Sequence, residues 1–217
     1  MPRTALFVID IQNELAGSPQ TQIPGAARIR AAGERILATS RALADGTPEN
    51  YGGGGGGGIG RVDDQKPGLT VFVQHEESPE SGGTLVRDAE PWKLVFPPRE
   101  GAADEILVAK TTHQLPEAED TFESNPDLAD KLKDAGVDHI VAFGLQSEYC
   151  VGSTCKGALA AGFRVSLLQG AHSTYDGDGK TASEIEKDIE EMLASRGADI
   201  VPWESAVSQW QTAGVVC

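Results

Sequence analysis

The sequence predicts an α/β fold, a three-layer α/β/α sandwich whose central sheet has six mainly parallel strands. Short apolar runs alternate along the chain with segments whose apolar residues recur at helical spacing. The first run, residues 5–9, is apolar throughout, which is typical of a parallel strand covered on both faces. Repeated strand–helix–strand units therefore favour a parallel sheet with helices on both sides.

The elements follow in order. Strands are predicted over 5–9, 69–74, 105–109, 139–143, 164–168 and 199–201, and helices over 26–44, 151–161 and 182–194. A further helix is predicted to start at Asn125-Pro126-Asp127, with Asn125 as cap and Pro126 in the first turn, and to end at Gly136. Because no second core pattern appears, residues 1–217 are expected to form a single domain.

The segment 46–68 is predicted to be a flexible insertion between the first helix and the second strand. It contains seven consecutive glycines, Gly52 to Gly58, which have no fixed backbone geometry. A phosphate-binding loop would need a following Lys-Ser or Lys-Thr pair and a helix start, and both are missing here. Nucleotide binding by this run is therefore not expected.

Composition excludes several classes of partner. A formal net charge of −15 argues against binding to nucleic acid and to anionic membrane surfaces. It favours a cationic substrate only slightly. No apolar run is long enough for a membrane span, and none resembles a signal peptide. The odd number of cysteines fits a reducing compartment. A cytoplasmic protein is predicted.

Three polar residues stand where predicted strands end. Asp10 follows the first strand, Lys110 follows the third, and Cys150 lies after the fourth, at the start of the next helix. Because the carboxyl ends of parallel strands share one edge of the sheet, these side chains are expected to meet. An ammonium and a helix N-terminus favour a thiolate, a carboxylate can move its proton, and backbone N–H groups can hold an oxyanion. The set predicts acyl transfer to water.

These motifs resemble the isochorismatase-like hydrolases over nearly the whole chain. The resemblance rests on Val8-Ile9-Asp10-Ile11-Gln12, on the lysine ending strand three, and on the loop 144–151, which ends in Cys-Val. It implies that Asp10 is the general base, Lys110 the cation and Cys150 the nucleophile. It also implies a cis peptide between Leu145 and Gln146, oxyanion donors at the backbone N–H groups of Gln146 and Cys150, and a dimer or tetramer.

Departures from the family refine the expectation. Relatives that bind a metal carry Asp-x-His after strand two, whereas this chain has Val73-Gln74-His75 and no second histidine nearby, so no metal and no cofactor are expected. The segment after Lys110 differs from that of relatives, and where many relatives show an Asp after strand five, this chain reads through Gln169 to His172. His113 and His172 are expected on the surface or behind the residues that line the site.

Gln12, His75, Trp92 and Tyr149 are candidates for the substrate pocket. Three of them have simpler alternatives, since His75 could be structural and the rings of Trp92 and Tyr149 could be packing groups. Asp10 could likewise be a strand-end cap, Lys110 a solvated lysine and Cys150 an inert thiol, while Cys155 is expected in the core.

The predicted function is hydrolysis of a small amide or ureide through a thioester on Cys150. The alternatives are a vinyl-ether hydrolase acting on an isochorismate-type substrate, which would need no cysteine, and a catalytically idle binding or scaffold protein with the same fold.

Overall fold

The computed structural model describes residues 3–46, 68–111 and 120–217. The Gly52–Gly58 run and most of the predicted insertion fall outside these ranges, as do His113 and most of the altered segment after Lys110. No helix in the described part of the chain is both long and apolar enough to cross a bilayer.

Six strands form one sheet, and every pairing between neighbours is parallel. The strands are β1 (Arg3–Ile9), β2 (Leu69–Glu76), β3 (Glu105–Thr111), β4 (Val137–Leu145), β5 (Arg164–Ser173) and β6 (Asp199–Pro202). Their order across the sheet is β3-β2-β1-β4-β5-β6. Strands β2 and β3 lie on one side of β1, and β4, β5 and β6 lie on the other side. The strand order therefore switches between β1 and β4.

Helices cover both faces of the sheet. They are α1 (Ala26–Asp45), α2 (Thr121–Ser124), α3 (Leu128–Asp134), α4 (Gly152–Ala160), α5 (Ala182–Ser195) and α6 (Trp203–Ala213). Alternate residues of β1 point to opposite faces, as the pleat requires. Phe7 lies in the core cluster formed with α3, α4 and α5, whereas Leu6 and Val8 lie in the cluster formed with α1 and α6. This confirms the predicted three-layer α/β/α sandwich and its six-stranded sheet.

The observed elements differ from the prediction in several places. Helix α3 starts at Leu128 with Asp127 as its cap, two residues later than the Asn-Pro signal indicates, because 125–128 forms a separate turn closed by the Leu128 N–H and the Asn125 carbonyl (2.9 Å). The helix predicted over 151–161 is α4, Gly152–Ala160, and an unpredicted π-helical turn, Ser147–Val151, directly precedes it. Helix α6 was not among the predicted elements, yet its Trp210 is fully buried.

Candidate active site

The three predicted catalytic residues converge at the carboxyl edge of the sheet, beside the switch in strand order. Asp10 directly follows β1, Lys110 lies in β3, and Cys150 lies in the turn after β4. Gly144 allows β1 and β4 to approach here, since it pairs with Ile9 at φ +138° and an added Cβ would stand 2.1 Å from the Ile9 carbonyl oxygen. Only glycine fits this position, which places the nucleophile turn beside Asp10.

Asp10 and Lys110 form a buried ion pair. Lys110 Nζ donates to Asp10 Oδ2 at 2.8 Å, and the two side chains are 0% and 1% exposed. Burial alone would lower the pKa of Lys110, but the neighbouring Asp10 carboxylate and Cys150 outweigh it and hold the pKa above its ordinary value. Lys110 is therefore a charged, buried group, and its interpretation as a solvated lysine is wrong.

The thiol of Cys150 lies against this pair. Burial, followed by the charge of Asp10, raises the pKa of Cys150 to about 12, and the Lys110 ammonium only partly offsets them. The sequence argument favoured a resting thiolate because it counted the ammonium and the helix end but not the burial. In the structure burial favours the neutral thiol, and the proposed attack therefore includes loss of the thiol proton.

The nucleophile turn carries the backbone groups expected to bind an oxyanion. The Leu145–Gln146 peptide is cis, as the resemblance implies. The Gln146 carbonyl accepts from the Val151 N–H at 3.1 Å, which closes the π-helical turn around Cys150. The N–H groups of Gln146 and Cys150 therefore belong to one compact turn at the edge of the sheet, and their role as oxyanion donors is a proposal.

The side chain of Gln12 bonds the backbone of two predicted pocket residues. Its side chain is fully buried, and its Oε1 accepts from the His75 N–H at 3.0 Å. Its Nε2 donates to the carbonyl oxygens of His75 (3.0 Å) and Trp92 (2.7 Å). The amide is thus committed to the backbone of His75 and Trp92, and the place of Gln12 in the substrate pocket stays a prediction.

The remaining pocket candidates differ in how far their side chains are exposed. His75 is paired in register with Lys110 at the end of β2 and is partly buried. Trp92 ends a short 3₁₀ turn, Glu90–Trp92, and its Nε1 is buried without a hydrogen-bond partner among the described residues. Tyr149 precedes the nucleophile and is 45% exposed, so its ring is not a core packing group.

Asp10, His75 and Cys150 also form a set of metal-ligand type. Their ligand atoms lie within 4.8 Å of one another, and no other such group of three occurs in 3–46, 68–111 and 120–217. The set does not suit a resident metal, because Lys110 already holds one Asp10 oxygen and its charge opposes a cation. A metal there would also occupy the nucleophile, and no catalytic step is derived through one.

The sequence analysis missed a hydrogen-bonded chain behind the nucleophile turn. Ser147 Oγ lies 2.8 Å from Nδ1 of His172, and Nε2 of His172 lies 3.3 Å from Oε1 of Glu190. His172 was expected on the surface or behind the site, and it is 1% exposed on β5. The departure from the family after strand five was the one signal that could have identified it. Cys155, as expected, is buried in the core.

Comparisons with known proteins agree with this architecture. The Isochorismatase domain family matches residues 4–204. A streptothricin hydrolase of Streptomyces noursei is 30% identical over 214 residues, which cover 95% of this chain and 71% of that protein.

Two solved structures share the fold. An isochorismatase-like hydrolase from Alkaliphilus metalliredigens superposes with a TM-score of 0.70 at 21% identity, covering 96% of this chain and 97% of the other. An N-carbamoylsarcosine amidase from Thermoplasma acidophilum has a TM-score of 0.65 at 17% identity, with coverage of 93% and 97%. With the family match spanning nearly the whole sequence, the chain belongs to the isochorismatase-like hydrolases.

Proposed function

We propose that this hydrolase cleaves a C–N bond of a small amide or ureide through a thioester on Cys150. The observation that carries the proposal is the buried Asp10–Lys110 pair beside the thiol. Asp10 Oδ2 is held by Lys110, whereas Oδ1 is buried with no hydrogen-bond partner among the described residues. A buried carboxylate oxygen without a donor is costly, and a thiol proton or a substrate N–H would satisfy it.

The proposed reaction has two steps, formation of the thioester and its hydrolysis. Asp10 takes the proton of Cys150 as sulfur attacks the carbonyl carbon, and it returns that proton to the nitrogen as the C–N bond breaks. The amine leaves, and a thioester remains. Asp10 next takes a proton from water as the hydroxyl attacks the thioester, and the proton returns to sulfur as the acid departs.

Lys110 has two roles in this scheme. Its ammonium holds Asp10 Oδ2 and leaves Oδ1 to accept a proton, and it offsets the negative charge that develops on sulfur during attack. The backbone N–H groups of Gln146 and Cys150 are proposed to hold the carbonyl oxygen when it becomes an oxyanion.

The relatives support an amide-type substrate. The streptothricin hydrolase and the N-carbamoylsarcosine amidase are named for hydrolysis, and the latter for an amide bond. No metal is part of the proposed mechanism, so activity should survive dialysis against a chelator. His75, Trp92 and Tyr149 are proposed to line the substrate pocket, and a cytoplasmic homo-oligomer remains a prediction.

The decisive experiment traps the thioester. Purified protein is incubated with streptothricin, N-carbamoylsarcosine and simple primary amides, quenched in acid, and digested for mass spectrometry. We expect product release and an acyl mass on the peptide containing Cys150, and neither in Cys150→Ser. Cys217→Ser is the matched control, because Cys217 is exposed and far along the chain from the turn, and it should keep full activity.

Two results would contradict the proposal. If Cys150→Ser released product at the rate of the unaltered protein, the nucleophile would be wrong and a vinyl-ether or water-based mechanism would be favoured. If no substrate of the panel were cleaved and no adduct formed, the chain would behave as an idle binding protein of this fold.

A further inference from the structure

The nucleophile turn is anchored from behind by a buried chain of side chains on three elements. Ser147 is the first residue of the turn, His172 lies on β5, and Glu190 lies on α5. Ser147 and His172 are 0% and 1% exposed. The second oxygen of Glu190, Oε2, accepts from Gln169 Nε2 at 2.7 Å, so the carboxylate at the outer end of the chain is itself held.

The partners determine where the protons lie. The hydrogen bond from His172 is the main cause that lowers the pKa of Glu190, which favours the carboxylate form, and a carboxylate can only accept. Nε2 of His172 therefore carries the proton that Glu190 accepts. When Nδ1 carries no proton, it accepts a hydrogen bond from the Ser147 hydroxyl.

This chain is not a second nucleophilic site, although its residue types are serine, histidine and glutamate. The Ser147 hydroxyl has no exposed surface and points into the protein toward His172, so a substrate cannot reach it. The backbone of Ser147 does reach the rest of the turn, because its carbonyl accepts from the Gly152 N–H at the start of α4. Ser147 thus joins the buried chain to the turn that holds Cys150.

We propose that His172, supported by Glu190, is a positioning residue that holds Ser147 and thereby fixes the nucleophile turn against Asp10 and Lys110. For catalysis this rests on the proposed function, since the fixed groups are the Cys150 thiol and the turn N–H groups. A buried hydroxyl that lost its partner would rotate or draw in water, and the turn would shift. Displacements near 1 Å are enough to slow catalysis strongly.

The test compares four single variants. His172→Leu and Ser147→Ala remove the chain, and His172→Asn retains an acceptor where Nδ1 stood. Ser173→Ala is the matched control, because Ser173 is the next residue of β5 and donates to Glu186 on α5 at 2.6 Å without contacting the turn. Circular dichroism and thermal unfolding check that each variant is folded.

The expected result is a loss in kcat with little change in KM. His172→Leu and Ser147→Ala should lower kcat by about ten-fold or more while KM stays within about three-fold. His172→Asn should recover most of the activity, and Ser173→Ala should lie within about two-fold of the unaltered protein. A merely structural role would lower the unfolding temperature of Ser173→Ala and His172→Leu alike and leave kcat per folded molecule unchanged.

A second readout needs no substrate. Because burial holds the pKa of the Cys150 thiol high, a loosened turn should let it deprotonate and react more easily. Iodoacetamide labelling at pH 8, read peptide by peptide, should be about five-fold faster at Cys150 in His172→Leu but unchanged in Ser173→Ala. The exposed Cys217 serves as the internal standard.

The two readouts separate the inference from the function. If labelling responds as expected but no amide is cleaved, the positioning chain stands and the proposed function fails. If amides are cleaved but both kcat and labelling of His172→Leu equal those of Ser173→Ala, the proposed function stands and the positioning role is overturned.

Discussion

Replacing Asp10 by Asn tests the buried ion pair directly. At the observed separation of 2.8 Å, two unit charges attract by about 6 kcal/mol for an effective dielectric constant near 20. Part of this attraction only offsets the cost of burying the charges, and breaking such a pair typically costs about 3–5 kcal/mol, because the remaining charge stays buried without a partner. Asp10→Asn should therefore destabilise the protein by that amount.

A double-mutant cycle with Lys110→Met tests whether the lost stability comes from a buried charge left without its partner. In the double variant no charge remains uncompensated, so its loss of stability should be smaller than the sum of the single losses by at least about 2 kcal/mol. The assay is urea unfolding followed by the fluorescence of the three tryptophans. Because the folded-state pKa of Lys110 is raised, the stabilisation is complete below the unfolded value of about 10.4 and is lost as pH rises through the folded value.

One result would refute this reasoning. If Asp10→Asn cost less than about 1 kcal/mol and the two single effects simply added, Lys110 would not be a buried ammonium that depends on Asp10. The charge arrangement on which the proposed mechanism depends would then be wrong. Hydrolysis by Asp10→Asn should in any case fall by at least about a hundred-fold, since the variant lacks the proton acceptor.

Two further predictions concern residues around the site. Burial raises the pKa of Asp120 from 3.8 to about 6, so its ionisation weakens the folded state as pH rises from about 4 to 6. After a discount for partial exposure, Asp120→Asn should gain about 1–2 kcal/mol relative to the unaltered protein between pH 4 and pH 7, and a stability difference independent of pH would contradict this. Gly144→Ala should cost about 3 kcal/mol or more in urea unfolding, because its Cβ would meet the Ile9 carbonyl. Gly162→Ala, also at positive φ but with nothing within 4 Å, should cost only about 1 kcal/mol, and equal losses would show that backbone strain alone sets the effect.

Local sequence patterns were sufficient for the sheet and for the chemistry at its edge. The run that ends at Asp10 is apolar on both faces, and the structure shows a strand covered on both faces there. Helix α6 was missed although it packs on the same core, and the segment around Asn125 contained a genuine turn signal that preceded the helix instead of starting it. Start signals describe local backbone geometry, and this is the same for a turn and for the first turn of a helix.

The pocket residues show where local patterns stop being informative. Gln12 was predicted to line the substrate pocket, and no local pattern indicated which groups its side chain would bond. Its amide bonds residues 63 and 80 positions away. The raised pKa of the Cys150 thiol was not predicted for a related reason, since burial depends on everything that packs around the thiol and not on the neighbouring residues in the chain.

The sequence by itself determined that this is a parallel α/β protein and that Asp10, Lys110 and Cys150 lie at or just beyond the carboxyl ends of its strands, at one edge of the sheet. It could do so because hydrophobic periodicity and strand direction are local properties, and parallel strands share their carboxyl edge. Only the tertiary structure decided that Asp10 pairs with Lys110, that burial raises the pKa of the Cys150 thiol, and that Ser147 is joined to Glu190 through His172. Those properties depend on distances and burial between residues far apart in the chain, which strand order and side-chain packing set together.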